Sequence, residues 1–178
     1  GRLWVGIFRS GLFIMDNDMK IVASYNTDKG FPSNSINHLM LDSRGDMWVA
    51  SGEGLVHFSS GVDIKYDKVY SARDGLSSES IRAIVEDKDG NIWFSTNLSV
   101  CRLDITPDKI TEYGYRSGIA NGNYAAGACA IRDDELVSFG STEGVTFFFP
   151  DRVVNPGTKL SAHFSEIQIF DANDPIAG

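Results

Sequence analysis

The chain has 178 residues, 42% apolar and 22% charged, with 24 acidic against 16 basic side chains and a formal charge of −8. That profile fits a soluble globular protein, and an acidic surface with no basic stripe excludes nucleic-acid binding and attachment to a membrane through a polybasic patch. No apolar run approaches the roughly 20 residues that span a bilayer, so any membrane link has to come from segments outside this chain.

Taken in order, the elements repeat. Gly1-Arg2-Leu3-Trp4 opens a strand, Gly11-Leu12 opens the next, and Tyr25 precedes Gly30-Phe31 by five residues. An apolar run at 36–41 then leads through an Asp-x-x-Gly turn, Asp42 to Gly45, into Met47-Trp48, followed by Gly54-Leu55 and by Tyr70 and Gly75. The third unit copies the second at a spacing of 45: the run at 81–86, the turn from Asp87 to Gly90, Ile92-Trp93, Ser99-Val100, then Tyr113 and Gly118. In the fourth unit Gly144-Val145 keeps the register, but Ser138 stands where Trp is expected and Arg132-Asp133-Asp134-Glu135 replaces Asp-x-x-Gly.

Each unit reads as four short strands: the Ile run, the Trp run, the Gly-Leu run and a fourth, placed around Ile64 to Tyr66 or Ile110 to Tyr113. All are rich in β-branched or aromatic residues, bounded by Gly, Asp or Asn turns, and without a helical stripe of useful length. Four strands per roughly 45 residues is the blade of a β-propeller. The fold class is therefore all-β, with blades of four antiparallel strands over residues 1–150. One large ring per blade, Trp4, Trp48 and Trp93, fills the space between neighbouring sheets rather than offering a sugar-stacking platform. The Asp-x-x-Gly turns are structural, since Asp bonds the backbone ahead and Gly accepts positive φ.

Because the first unit starts at its second strand, this count predicts three strands, two complete blades and a fourth unit with an unassigned outer strand. Such a set does not close, so an incomplete ring, part of a propeller of about seven blades, is expected. After Pro150 a polar connector covers 151–160. In the segment 161–178, Phe164, Ile167 and Ile169 suit one more strand, either the outgoing edge of the propeller or, the favoured reading, the first strand of a following β domain. Cys101 and Cys129 read as two buried free thiols, with an inter-blade disulfide as the alternative.

The phrases Gly30-Phe31-Pro32-Ser33-Asn34-Ser35-Ile36, Asp42-x-x-Gly45-x-x-Trp48 and Gly54-Leu55, with their copy from Gly75 to Trp93, resemble the two-component regulator propeller repeat. The degenerate unit ending Phe149-Pro150-Asp151 resembles the terminal repeat that precedes the triple-tyrosine domain of such sensors. The resemblance implies the periplasmic sensor region of a hybrid histidine kinase of the Bacteroidetes type, which detects oligosaccharides and signals as a homodimer. The kinase itself would lie elsewhere in the polypeptide, and His38, His57 and His163 match none of its motifs.

No nucleophile with a partner set, phosphate loop or metal cluster is legible, and no cofactor is called for. The Asn97-Leu98-Ser99 sequon is an accident of composition. In a propeller, the connection entering the innermost strand and the one between the second and third strands share one face, where ligands usually meet the ring. Those connections carry Arg9, Asn34, Glu53, Glu79, Asn97, Asn121 and Asn123. Amides and carboxylates suit sugar hydroxyls, and Phe31 or Tyr124, if exposed, would stack on a pyranose face. The competing reading has these residues only cap turns. Two other functions stay open: an interaction or dimerisation scaffold, and a propeller enzyme of the streptogramin lyase kind, which needs a general base on that face.

Overall fold

The structure, a computed structural model, describes residues 1–61, 63–119 and 122–154. The strand expected within 161–178 and the candidate Asn121 lie outside the described residues, as does most of the connector.

Among the described residues, fourteen strands form four antiparallel sheets. The first holds β1 (Leu3–Ile7), β2 (Gly11–Met15) and β3 (Ile21–Tyr25). The second holds β4 (Ile36–Leu41), β5 (Met47–Ser51), β6 (Gly54–Phe58) and β7 (Lys68–Tyr70). The third holds β8 (Ile81–Glu86), β9 (Ile92–Thr96), β10 (Val100–Asp104) and β11 (Lys109–Tyr113). The fourth holds β12 (Tyr124–Ile131), β13 (Val137–Ser141) and β14 (Gly144–Phe148). Each sheet is a simple meander, and the four stack as successive propeller blades without closing a ring.

The fourth strand of blade 2 corrects the sequence reading. It is not at Ile64 to Tyr66 but at β7, where Leu55 pairs with Tyr70, Val56 with Val69 and His57 with Lys68. Ile64 and Tyr66 lie in the approach to it and serve the seam with blade 1, where the Tyr25 hydroxyl donates to the Ile64 carbonyl and the Tyr25 and Tyr66 rings meet edge to face.

Burial follows position in the stack. Strand β9, in the middle of a blade with neighbours on both sides, is buried at all five residues. One register position shows the cause: Leu55 and Val100 are 0% and 1% exposed, whereas Val145, the same position in blade 4, is 58% exposed. All three are apolar, but in blade 4 no further sheet covers the position among the described residues. Three apolar clusters fill the seams. Trp48, Tyr70 and Leu76 pack on Phe94 and Leu103, and Trp93 and Tyr113 pack on Val137 and Phe139. Leu12 and Phe31 pack on Val56 and Phe58, with Trp4 partly buried beside them.

Two of the tryptophans are tied by the indole to the turn that precedes them. The Trp48 indole N–H donates to Asp42 Oδ2 at 3.0 Å and the Trp93 indole to Asp87 Oδ2 at 2.8 Å. The other oxygen of each Asp accepts two backbone N–H groups of its own turn, those of Arg44 and Asp46 or of Asp89 and Asn91. In blade 4 both members of the pair are replaced, by Arg132 and Ser138. The turn nevertheless keeps its shape, with Glu135 at φ 68° where Gly45 and Gly90 stand at 87° and 79°.

Both cysteines are free. Cys101 is buried, while Cys129 is half-buried, less enclosed than expected. Burial pushes both thiols above their usual range.

Candidate ligand-binding face

The loops predicted to share one face do meet. The Gly11 N–H donates to the Asn34 carbonyl at 3.0 Å and the Gly54 N–H to the Glu79 carbonyl at 2.7 Å. At the next seam the partners exchange roles, the Tyr124 N–H donating to the Asn97 carbonyl at 3.1 Å. Within blades, Gly52 N–H reaches the Ser35 carbonyl and Thr142 N–H the Asn123 carbonyl. These backbone bonds, with the Ser78–Asn97 side-chain bond supplying the link within blade 3, join the loops of Arg9, Asn34, Glu53, Glu79, Asn97 and Asn123 in a belt across all four blades.

The side chains on this belt divide into two groups. Asn34 is spent on local structure: its Oδ1 accepts the Thr27 N–H at 2.8 Å and its Nδ2 donates to Thr27 Oγ1 at 2.9 Å. Glu79, its equivalent 45 residues on, accepts the Ala72 N–H at 2.7 Å. Asn97 Oδ1 accepts from Ser78 Oγ at 2.6 Å. These three close the short 3-10 turns and loops, as the capping reading has it.

Arg9, Glu53 and Asn123 are different. All three are exposed, and none makes a side-chain hydrogen bond among the described residues. Arg9 stands at φ 65° with its guanidinium 6.0 Å from the Phe8 ring centroid. The two aromatic rings proposed for stacking do not reach solvent. Phe31 is 3% and Tyr124 0% exposed, because Phe31 fills the seam of blades 1 and 2 and Tyr124 packs edge to face on Phe139. Their flanking Gly and Asn residues looked like exposed loop, but the ring in each case is the anchor on which the loop turns.

The two histidines among the described residues are engaged within the sheets. His38, in β4, accepts the Ile84 N–H of blade 3 at Nδ1 (3.1 Å), and burial holds it below its ordinary pKa. His57, in β6, packs its ring at a tilt against Trp48 and sits between Asp46 at 3.2 Å and Asp67 at 2.8 Å. Neither is poised as a general base on the loop face. Among the described residues no group of three His, Cys, Asp or Glu is arranged to hold a metal ion.

Sequence reasoning missed two residues of this face. Each innermost strand carries a bulge just inside it: Asn37 is the extra residue between the pairs Ile36–Ser51 and His38–Ala50, and Arg82 between Ile81–Thr96 and Ala83–Ser95. Both reach to the next blade, Asn37 Nδ2 donating to the Ile81 carbonyl at 2.6 Å and Arg82 Nε to the Tyr124 carbonyl at 3.2 Å. The 45-residue spacing of the pair was visible, but the bulge that turns them toward the seam was not.

Comparison with known proteins accords with this geometry. The profile of the two-component regulator propeller matches residues 30–53 and 75–98, the two units with the full repeat phrase. The extracellular domain of the hybrid two-component system BT3049 from B. thetaiotaomicron superposes with a TM-score of 0.82 at 40% identity, over 85% of this chain and 20% of that one. This chain belongs to the two-component regulator propeller family. The extracellular domain of the hybrid system BT4673 from the same organism shares the fold, with a TM-score of 0.68 at 16% identity over 86% of this chain and 21% of that one. Virginiamycin B lyase from Staphylococcus aureus shares it more distantly, with a TM-score of 0.61 at 17% identity over 83% of this chain and 52% of that one. A search of curated proteins finds no match. These two-component regulator propeller blades thus span about a fifth of the length of the sensor domains they resemble.

Proposed function

We propose that these blades are part of the extracytoplasmic, periplasmic ligand-sensing region of a two-component regulator, and that they take an oligosaccharide on the loop face and help pass the signal across the membrane as a homodimer. The observation that supports this most is the belt. Hydrogen bonding fixes the loops of four blades as one rigid surface, and Glu53, Arg9 and Asn123 project from it with their polar groups unspent. Rigid loops with free polar ends recognise hydroxyl-rich ligands at low ordering cost. The segment reads as a binding element rather than an enzyme: His38 and His57 are committed within the sheets, so neither offers a lyase-type base on this face.

The test is calorimetric titration of the parent polypeptide's extracytoplasmic region with a panel of plant and host oligosaccharides. Glu53→Gln and Asn123→Ala are the informative variants, since truncating Asn34 or Asn97 would disturb the loops themselves. One sugar class should bind saturably and weaken about 5- to 20-fold in each variant, the value of one or two lost hydrogen bonds. A folded dimeric protein that binds nothing across the panel would instead point to an interaction scaffold that senses through a protein partner.

A further inference from the structure

The innermost strand of blade 4 departs from its counterparts. Its pairing with β13 jumps from Tyr124–Ser141 to Cys129–Phe139, so four residues, Ala125 to Ala128, stand opposite Gly140 alone. Blades 2 and 3 have one extra residue at this point. The enlarged bulge crosses toward blade 2: a Cβ on Gly127 would lie 3.7 Å from the His38 ring and 3.9 Å from the Asn37 carbonyl. Behind it, Cys129 Sγ lies 3.4 Å from the Ile84 carbonyl and 4.0 Å from His38 Nδ1. The enlarged bulge thereby touches the innermost strands of both blade 2 and blade 3.

The surface of the bulge is bare. Ala125, Ala126 and Gly127 are exposed and carry almost no side chain, whereas the equivalent bulges present Asn37 and Arg82. Arg82 uses only its Nε on the Tyr124 carbonyl; its two terminal nitrogens have no hydrogen-bond partner among the described residues. Tyr124 N–H in turn bonds the Asn97 carbonyl, which fixes Arg82 beside the ligand loops. Glu79, on the loop that enters the same strand, is turned into the Ala72 N–H. A fixed, half-buried guanidinium with a free double-donor edge is built to take a planar or tetrahedral anion.

We propose that Arg82 and the β12 bulge form an anion-accepting subsite, and that the oligosaccharide recognised on this face is acidic, presenting a carboxylate or sulfate to Arg82. This rests on the sugar-sensing reading above and deepens it. Arg82→Asn is the decisive variant, because Asn37 already makes the same inter-blade bond from the equivalent position: the substitution keeps the joint and removes the charge. The parent extracytoplasmic region is titrated with a uronic-acid oligosaccharide, a sulfated one and a neutral one of equal length. Binding of an acidic sugar, weakened by salt and lowered about 10- to 100-fold by Arg82→Asn, with Arg82→Lys intermediate and an unchanged melting temperature, is the expected result. Which acidic sugar binds separates carboxylate from sulfate. Binding of the neutral sugar alone, or an acidic sugar indifferent to Arg82→Asn, overturns the subsite while leaving the sensor reading intact; no binding of any sugar overturns both.

Discussion

Asp42 serves three functions with one carboxylate: it closes its turn through two backbone N–H groups, pairs with Arg44, and holds the indole of Trp48. Burial alone would raise its pKa, but the hydrogen bonds from Trp48, Arg44 and the Asp46 backbone and the charge of Arg44 outweigh it, so it is held below the usual carboxylate value. A carboxylate depressed in the folded state contributes stability above its unfolded pKa, about 4, and loses it as pH falls through the folded value. Asp42→Asn should therefore lower stability at pH 7 and flatten the acid limb below about pH 4, read from urea midpoints between pH 7 and 2.5. Parallel acid limbs for the variant and the parent would show that Asp42 is not the titrating group. The turn role of Asp42 was legible in the sequence, as was the loss of both partners in blade 4, where Arg132 and Ser138 stand six residues apart like Asp42 and Trp48. The indole bond itself needed geometry. Phe31 and Tyr124 failed for a related reason: a ring beside Gly and Asn reads as loop surface, and only the stacked neighbouring blade shows it to be core.

Blades are defined as elements by their seams. Gly6 in β1 is there because of Ile36, whose Cγ2 would lie 2.4 Å from an added Cβ. Gly6→Ala should thus cost about 1–3 kcal/mol through overpacking, and most of that should return in the double variant with Ile36→Ala, beyond what the two single changes add up to. A double-mutant cycle in urea reads this; simple additivity would mean that the two blades do not touch there. The order of strands, their three-blade register and the bounding turns were all readable from a 45-residue repeat. The misplaced fourth strand of blade 2 was also avoidable: β3, β7 and β11 all end on the Tyr that stands five residues before a Gly, namely Tyr25, Tyr70 and Tyr113. Hydrophobicity drew attention to Ile64 and Tyr66, which are apolar for the sake of the seam rather than the ladder. The bulges at Asn37, Arg82 and β12 could not be read at all, because a bulge leaves the alternation of side chains locally ambiguous.

At the scale of the molecule, four stacked blades present apolar residues on both terminal sheets, Leu3 and Ile7 at one end and Val145 and Phe147 at the other. Stacked repeats bury such faces against further repeats, in keeping with a chain that spans a fifth of the related sensor domains. What gives the assembly a direction is that its two faces differ: one is a belt of hydrogen-bonded loops with free polar ends, the other a row of Asp-x-x-Gly turns tied to the tryptophans. The most direct measurement is hydrogen–deuterium exchange of the parent extracytoplasmic region with and without its bound oligosaccharide. Protection concentrated at 33–37, 52–54, 78–82, 97–98 and 123–127 is the predicted result. Protection at the opposite turns, 42–46, 87–90 and 132–135, with the loop belt unchanged, would contradict the assignment of the ligand face.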